Sequence, residues 1–385
     1  MHFGGAILNS PAEHVADQAR PDLASKLRLA LISGVGPRLR QALLDRFGDA
    51  ESVLAAAPSD LRTVPGIGAK LCRAISRADD EVDVAALLKI CQENAVRILT
   101  DDEEPYPRLL KEIHDPPSVL FVRGAFEPRD AMAIAIVGTR HATAYGLRQA
   151  ERLGGSLARA GLTVVSGLAR GVDAAAHRGA LAAGGRTIAV LASGVLNIYP
   201  PEHKSLADEI AGQGALISET PPQAAPKSGV FPQRNRLISG LTLGTIVVEA
   251  ADRSGALITA RHAMEQGREV FAVPGPVDSR ASRGCHRLLR DGARLVESAE
   301  DVLEELGPLV EGAETDDGRI VLHPAELLLN ELEQQVLSAV GTEPTSIDQV
   351  AIDTALPPHR VLAAISVLEM RHLLRRVSGN LVCRL

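Results

Sequence analysis

Between residues 131 and 305, short apolar runs alternate with longer amphipathic stretches. The runs, in order, are IAIVG, LTVVSG, TIAVLASG, ALISE, GTIVVEA and EVFAVPG. Apolar runs of this length predict strands that are buried on both faces, and the stretch after each run is typical of a helix. Regular alternation of the two predicts an α/β fold with a doubly wound parallel sheet. Such sheets bind ligands at the carboxyl ends of their strands, so we expect function in the loops that follow them.

A helical module is predicted for residues 23–80, after a lead-in at 1–22 that we expect to be flexible. Two units, LISGVGPRLRQALLDRFG and LRTVPGIGAKLCRAI, each place a Gly-apolar-Gly turn between helical patterns. The arrangement resembles a tandem, SAM-like helix-hairpin-helix, in which glycine lets the backbone approach a phosphate. Contact with DNA and a purely architectural use of the glycines both remain open.

Three further segments complete the predicted organisation. Residues 81–130 form a connector whose Tyr106-Pro107 and Pro116-Pro117 pairs cap the next domain. Residues 306–330 are acidic and predict a solvated linker. Residues 331–385 show three helical patterns followed by a hairpin, which is typical of a winged helix. Because this last span has no basic excess, protein interaction is as well supported as binding to duplex DNA.

Composition and charge narrow the function classes. Apolar residues make up 45% of the chain, charged residues 23% and aromatic residues only 2%, which fits a globular protein with an aliphatic core. The formal charge is −7, which argues against coating of nucleic acid by general basicity and leaves a local basic groove open. Residues 131–298 nevertheless hold 19 basic and 13 acidic residues. Positive charge therefore concentrates in the predicted sheet domain, as in proteins that bind nucleotides or nucleic acid.

Cysteine and histidine usage excludes other classes. The four cysteines are far apart without a CxxC, and the histidines form no HExxH. We therefore expect no disulfide framework and no metal site. The chain has neither a signal-peptide pattern nor an apolar run of about 18 residues, so we expect a cytoplasmic protein without membrane contact.

The first two predicted loops offer phosphate-binding groups. After the first strand, Gly138 permits close backbone approach, and Arg140 follows with the hydroxyls of Thr139 and Thr143 at a helix start. After the second strand, two glycines flank a further arginine and an aspartate begins the next helix. These residues are Gly167, Gly171, Arg170 and Asp173. The aspartate either caps its helix or pairs with the arginine.

Later loops add cations and an unusual aromatic segment. Lys204 and Lys227 lie in the loops after the third and fourth strands. The segment after the fourth strand also contains Phe231, Pro232, Gln233, Arg234, Asn235 and Arg236. In a chain with so few aromatics, a phenylalanine beside Arg-Asn-Arg suits a stacking platform over a backbone clamp. The alternative is that the phenylalanine is buried and the two arginines pair within the molecule.

No catalytic constellation is evident. The chain contains neither GxxxxGK[ST] nor GxGxxG, which removes the main support for an ATP-driven motor or a standard NAD dehydrogenase. No serine has a histidine partner at a telling position. Glu249 is the best catalytic candidate, although it equally suits orienting the helix start at Ser254-Gly255-Ala256.

Six motifs in this chain resemble those of a known protein family. GTRHATAYG, SGLARGVDAAAH, NIYP, FPQRNRLISGL, VVEA with RSGALITARHAMEQGREVFAVPG, and GCHRLLRDGA occur in this order across about 131–298. Together they closely resemble the bacterial DprA (Smf, DNA-processing protein A) family. The helical module and the winged helix also match its extended layout, with less specific motifs.

The resemblance implies an extended Rossmann-like domain that binds single-stranded DNA, forms a homodimer and loads the RecA recombinase during natural transformation. It implies no cofactor and no catalysis, in agreement with the missing enzyme motifs. Carried over onto this sequence, the DNA-binding residues are Gly138, Arg140, Gly167, Arg170, Lys204, Phe231, Gln233, Arg234, Asn235 and Arg236.

One alternative is an enzyme. Phosphoribohydrolases of the cytokinin-activating type have a similar sheet, and Gly244-Thr245 with Glu249 echo their GTxxE strand end. Their adjacent double glycine is absent, because this chain has Ser239-Gly240-Leu241 at that place. A purely structural scaffold is a third possibility, which leaves the basic loops unexplained.

Overall fold

The computed structural model describes residues 22–307, 313–315, 318–378 and 380–384. The predicted lead-in, except for its last residue, lies outside the described residues, as do parts of the acidic segment. Across the ranges that are described, no helix is both long and apolar enough to cross a membrane.

A mixed sheet forms the centre of the molecule. In the described part of the chain it has nine strands, in the order β1-β2-β6-β5-β4-β3-β7-β8-β9. The strands are β1 (Val96–Thr100), β2 (Val119–Gly124), β3 (Ala133–Val137), β4 (Thr163–Ser166), β5 (Thr187–Val190), β6 (Ala215–Ser218), β7 (Gly244–Val247), β8 (Glu269–Ala272) and β9 (Arg294–Leu295). The strands β3 to β8 coincide with the six apolar runs and pair in parallel. The predicted doubly wound α/β sheet is therefore confirmed.

Helices cover both faces of this sheet. They are α9 (Ala144–Arg159), α10 (Val172–Ala182), α11 (Lys204–Gln213), α12 (Val230–Gly240), α13 (Ala256–Glu265), α14 (Arg283–Arg290) and α15 (Ala299–Glu305). The first two cross closely because glycine replaces a side chain at the contact. A Cβ on Gly154 would lie 2.5 Å from the Ala176 oxygen, and one on Gly179 would lie 2.1 Å from the Glu151 oxygen. Apolar side chains of the sheet and its covering elements form one core cluster on one face and two on the other.

The segment predicted as a connector contributes more than a cap. Its strand β1 pairs antiparallel with β2, and β2 pairs antiparallel with β6, so the sheet gains an antiparallel edge. The short helix α8 (Arg108–Lys111) lies between these strands. Tyr106 donates a hydrogen bond to the Pro117 oxygen at 2.7 Å. Ile113 packs with the buried face of α12 in one core cluster. The two proline pairs are thus bonded to each other, and the two strands were not predicted.

The N-terminal module is helical, as predicted. Its helices are α1 (Leu23–Leu31), α2 (Pro37–Phe47), α3 (Ala50–Ala55), α4 (Pro58–Leu61), α5 (Ala69–Ser76) and α6 (Ala78–Glu81), followed by α7 (Val84–Glu93). Gly34 and Gly66 both have φ of +92°, a conformation that favours glycine, so the two turns require it.

The C-terminal region is a winged helix. It contains α16 (Glu331–Ser338), α17 (Ile347–Thr354), α18 (Pro358–Met370), β12 (Thr345–Ser346), β13 (Leu374–Ser378) and β14 (Leu381–Arg384). The three strands form one sheet in the order β12-β14-β13.

The described part of the acidic segment is not a solvated linker. The strands β10 (Ala313–Glu314) and β11 (Ile320–Val321) pair, and Ala313 and Val321 pack on Met132. The buried Glu326 accepts a hydrogen bond from Arg384 at 2.5 Å. This carboxylate anchors the winged helix, so its charge serves the fold and is not exposed to solvent.

All four cysteines, Cys72, Cys91, Cys285 and Cys383, are buried and unpaired. Burial raises the pKa of the Cys91 and Cys285 thiols to about 12. Their thiolate forms are therefore scarce at neutral pH.

Candidate nucleic-acid interface

A cavity of about 730 Å³ opens at the carboxyl edge of the sheet. Its walls come from the loops after β3 and β4, from the first turns of α12 and α13, and from Tyr199 in the loop after β5. We call it the pocket. The lining includes five of the predicted site residues, namely Gly138, Arg140, Phe231, Arg234 and Asn235. The topology therefore brings together residues that are almost a hundred positions apart in sequence.

An arginine and two aromatic rings meet in the pocket. The Arg140 guanidinium carbon lies 5.0 Å from the centre of the Phe231 ring. The Tyr199 ring meets the same phenylalanine edge-on, with centroids 5.9 Å apart. Arg140 and Tyr199 are exposed and Phe231 is half-buried. The alternative of a buried Phe231 is therefore wrong, and its ring is available for stacking.

Arg234, in contrast, is buried beneath the pocket. Its Nη1 donates to the Gly167 oxygen at 2.8 Å and also to the Val190 oxygen. Burial lowers the pKa of Arg234 to about 10, and burial raises the pKa of the neighbouring Asp173. The prediction that Arg234 clamps the DNA backbone is therefore corrected. Its hydrogen bonds join the end of β4 to β5. Gly167 is needed there because a Cβ would lie 2.5 Å from the Arg234 Nη1.

Arg236 is also buried and paired. Its Nη1 and Nη2 each donate to a Glu219 oxygen at 2.7 Å, and its Nε lies 3.1 Å from Asp115 Oδ2. Despite the cost of burial, these two carboxylates raise its pKa. The prediction that Arg236 clamps the DNA backbone is corrected as well, because Arg236 pairs with carboxylates of the protein itself. Arg40 of the N-terminal module completes the network, 3.9 Å from Glu219.

The second loop also differs from expectation. Asp173 accepts hydrogen bonds from the backbone N–H groups of Gly167 and Ala169, at 3.2 and 3.3 Å. It therefore folds the loop before its helix, and it does not pair with Arg170. Arg170 Nε instead donates to Glu202 Oε1 at 2.5 Å, with both side chains about half exposed, at 51% and 49%. Lys204 begins α11 and is exposed. Neither cation lines the pocket.

Glu249 has a structural partner. It accepts hydrogen bonds from the backbone N–H and the hydroxyl of Thr143, at 2.9 and 2.6 Å. Thr143 in turn caps α9 by accepting from the Gly146 N–H. Its hydroxyl is therefore engaged, and the expectation that it binds phosphate is wrong. Glu249 holds the start of α9, 106 residues away in sequence, and does not orient the helix at Ser254.

A second cavity of about 460 Å³ adjoins the pocket. It lies between the start of α2 and the helices α12 and α13, and it shares Pro232 and Ile258 with the pocket lining. We call it the side groove. Gln233, one of the predicted site residues, lines this groove together with Arg38 and His262. The predicted set is thus divided between two adjoining cavities, the buried layer below them and, for Arg170 and Lys204, exposed positions outside both cavities.

Sequence reasoning missed Tyr199 and Arg38 as individual site residues. Tyr199 was noted only within the NIYP motif, although one of three tyrosines in a chain with nine aromatics was a usable signal. Arg38 lies two residues after the first Gly-Val-Gly turn.

Three protein families match three segments of the chain. A family described as DNA recombination-mediator protein A matches residues 97–307. The DprA winged helix domain matches 322–380, and a SAM-like helix-hairpin-helix tandem matches 26–78.

Individual proteins are similar over long stretches. Protein Smf of Synechocystis sp. is 34% identical over 393 residues, which cover 94% of this chain and 98% of the relative. The DNA processing protein DprA of Bacillus subtilis is 45% identical and covers 57% of this chain and 74% of its own. The X-ray structure of DNA processing protein A from Streptococcus pneumoniae superposes with a TM-score of 0.65 at 35% identity, over 74% of this chain and 98% of that one.

Proposed function

Since the chain belongs to the DNA recombination-mediator protein A family, we propose that it binds single-stranded DNA in the pocket and delivers it to the RecA recombinase during natural transformation. The resemblance implies this role, and the pocket has the chemistry for its first step. No part of the proposal requires a cofactor or a catalytic residue.

The observation that carries the proposal is the cluster in the pocket formed by exposed Arg140, half-buried Phe231 and exposed Tyr199. Aromatic rings stack on any base, because every base has a π-face, whereas an arginine binds the phosphate backbone. Bases are accessible for such stacking in a single strand and are already stacked in a duplex. The pocket therefore favours single strands with little sequence preference.

Arg140 is the side chain that we expect to contribute most to affinity. It is exposed at the carboxyl edge, and no ion pair occupies it among the described residues. Its planar guanidinium can donate to two phosphate oxygens at once, which a lysine cannot do. Stacking on Phe231 already orders the side chain, so less conformational entropy is lost on binding.

Replacing Arg140 tests the proposal. Arg140→Ala should weaken binding of an oligo-dT strand by about 1.5–3 kcal/mol, the range for hydrogen bonds to charged groups. This is roughly a ten- to hundredfold rise in Kd. Fluorescence anisotropy at two salt concentrations measures it, with a duplex of equal length as the second ligand. Arg140→Lys should recover part of the loss.

Arg159→Ala is the matched control, because Arg159 is exposed in the last turn of the same helix that begins at the pocket. The helix has 16 residues, so the control removes the same charge about 24 Å away. Equal affinity of the two variants, with unchanged melting temperatures, would place the strand elsewhere. Equal binding of duplex and single strand by the parent protein would also exclude the proposed preference.

Delivery to RecA is tested separately. RecA is added to a strand already coated with a single-strand-binding protein, and its ATP hydrolysis is followed in the cytoplasmic salt range. The parent protein should shorten the lag and Arg140→Ala should not. An unchanged lag with the parent protein would exclude loading and leave strand binding intact.

We also propose that the chain is a homodimer, paired through the late part of the central domain. The apolar strand β8 is not available for this contact, because it pairs with β7 and β9 inside the sheet. Met264 on α13 and Leu295 on the edge strand β9 are exposed, at 52% and 51%. An isologous contact is the commonest arrangement in soluble oligomers. Sedimentation of a monomer at tens of micromolar would count against it.

The phosphoribohydrolase alternative gains no support from the site, because its candidate Glu249 is bonded to Thr143. Incubation with a nucleoside monophosphate should therefore release no free base.

A further inference from the structure

We propose that the side groove carries the same single strand after it leaves the pocket, and that Arg38 of the helix-hairpin-helix module contacts its backbone. This rests on the proposed function, because the strand must first occupy the pocket. It assigns a binding role to the N-terminal module and predicts a longer site than the pocket alone provides.

Continuity of the two cavities is the first argument. Pro232 and Ile258 line both, so the pocket and the groove are direct neighbours. Phe231 and Gln233, on either side of Pro232 in sequence, line the pocket and the groove respectively. A polymer that stacks on Phe231 therefore meets the groove as its next surface.

Charge is the second argument. Arg38 is exposed and lines the groove, and no ion pair holds it among the residues that the structure describes. The acidic Asp115 also lines the groove, but it is paired with Arg236 at 3.1 Å. The remaining polar lining, Gln233 and His262, is not acidic. The available charge of the groove is therefore positive, which suits a phosphate backbone.

Rigidity of the junction is the third argument. Arg40 lies two residues after Arg38 and is buried. Its Nη2 donates to the Pro116 oxygen at 3.3 Å and lies 3.9 Å from Glu219, which is bonded to Arg236 on α12. This network fixes the start of α2, and with it the backbone of Arg38, against the central domain. The segment that carries Arg38 therefore need not be ordered when DNA binds.

Strand length provides the test. Anisotropy is measured on the full chain with dT strands of about 6 and about 16 nucleotides, within the range of site sizes of single-strand-binding folds. The shorter strand fills the pocket, and the longer one also reaches the groove. Arg38→Ala should leave the short strand's Kd unchanged and raise that of the long strand about three- to tenfold. It should also reduce the salt slope by about one on the long strand only.

Arg62→Ala is the control, since Arg62 is an exposed cation of the same module that does not line the groove. It should bind both strands like the parent protein. If Arg38→Ala matches Arg62→Ala on the long strand while the short strand binds normally, the groove assignment is overturned and the proposed function stands. If the parent protein binds neither strand, both are overturned. Melting temperatures of the two variants should agree, because both side chains are exposed.

Discussion

The carboxyl edge of the sheet uses its arginines at two depths. At the rim, Arg140 is exposed and rests on an aromatic ring. Below it, Arg234 and Arg236 are buried and donate to oxygens of the protein itself. All three were predicted from the sequence to bind DNA. The difference teaches that a basic motif at a binding edge supplies both the binding surface and the support beneath it, and that burial separates the two roles.

Removing a support arginine should have the largest effect. Arg236→Ala breaks a buried, doubly hydrogen-bonded pair and leaves Glu219 and Asp115 without their cation. Breaking such pairs costs about 3–5 kcal/mol of folding free energy. Urea unfolding measures the loss, and Arg140→Ala in parallel should change stability by less than about 0.5 kcal/mol. Similar urea midpoints for the two variants would contradict the distinction between an exposed binding arginine and a buried supporting one.

Low pH should widen the difference between the buried support layer and the exposed rim. His177 is fully buried near Arg234, and desolvation lowers its pKa to about 3. Between its unfolded pKa near 6.5 and about 3, the unfolded chain binds a proton that the folded chain does not. This contribution to stability is present above pH 6.5 and is lost as the pH falls, by about 2 kcal/mol at pH 5.

Urea midpoints at pH 7 and 5 check this expectation. His177→Asn cannot titrate, so its stability should depend less steeply on pH than that of the parent protein. Arginine side chains keep their charge in this pH range, so the affinity of the folded protein for dT should change less than its stability does. A parallel pH dependence of the two proteins would assign the acid sensitivity to other groups.

The smallest expected effect concerns Arg170. It follows β4 at the same edge of the sheet but pairs with Glu202, and the hydrogen bond to this carboxylate raises the pKa of Arg170. Arg170→Ala should therefore raise the Kd for dT by no more than about threefold, the scale of an exposed ion pair. Glu202→Gln should tighten binding by a similar factor because it releases the cation. Fluorescence anisotropy measures the Kd of both variants. If Arg170→Ala loses as much affinity as Arg140→Ala, Arg170 must change partner when DNA binds.

The sheet was predictable because each strand carries its own signal. Six apolar runs gave six strands, and their order along the chain gave a parallel arrangement. The strands β1 and β2 were missed because they lie in a stretch punctuated by prolines, where turn signals dominate. Their pairing with each other and with β6 depends on contacts that no local pattern records.

The site was predictable in its location and less so in its roles. Gly138, Arg140 and Phe231 follow from loop position and from the rarity of aromatic residues. The burial of Arg234 and Arg236 does not, because their acceptors are distant in sequence: the Gly167 oxygen is 67 residues away and Glu219 is 17. The bond between Thr143 and Glu249 spans 106 residues and is equally invisible to a local motif. Long-range partners therefore decide which charges remain free for a ligand.

The burial of all four cysteines makes this chain well suited to site-directed labelling. A maleimide dye reacts with thiolates at the surface, and the native thiols are enclosed, two of them with a pKa of about 12. A cysteine introduced at Lys204 and another at Arg62 would carry the dyes. Both positions are exposed, so neither change removes a side chain from the hydrophobic core. Energy transfer from each dye to a labelled strand would then report, molecule by molecule, the polarity with which DNA threads along the carboxyl edge.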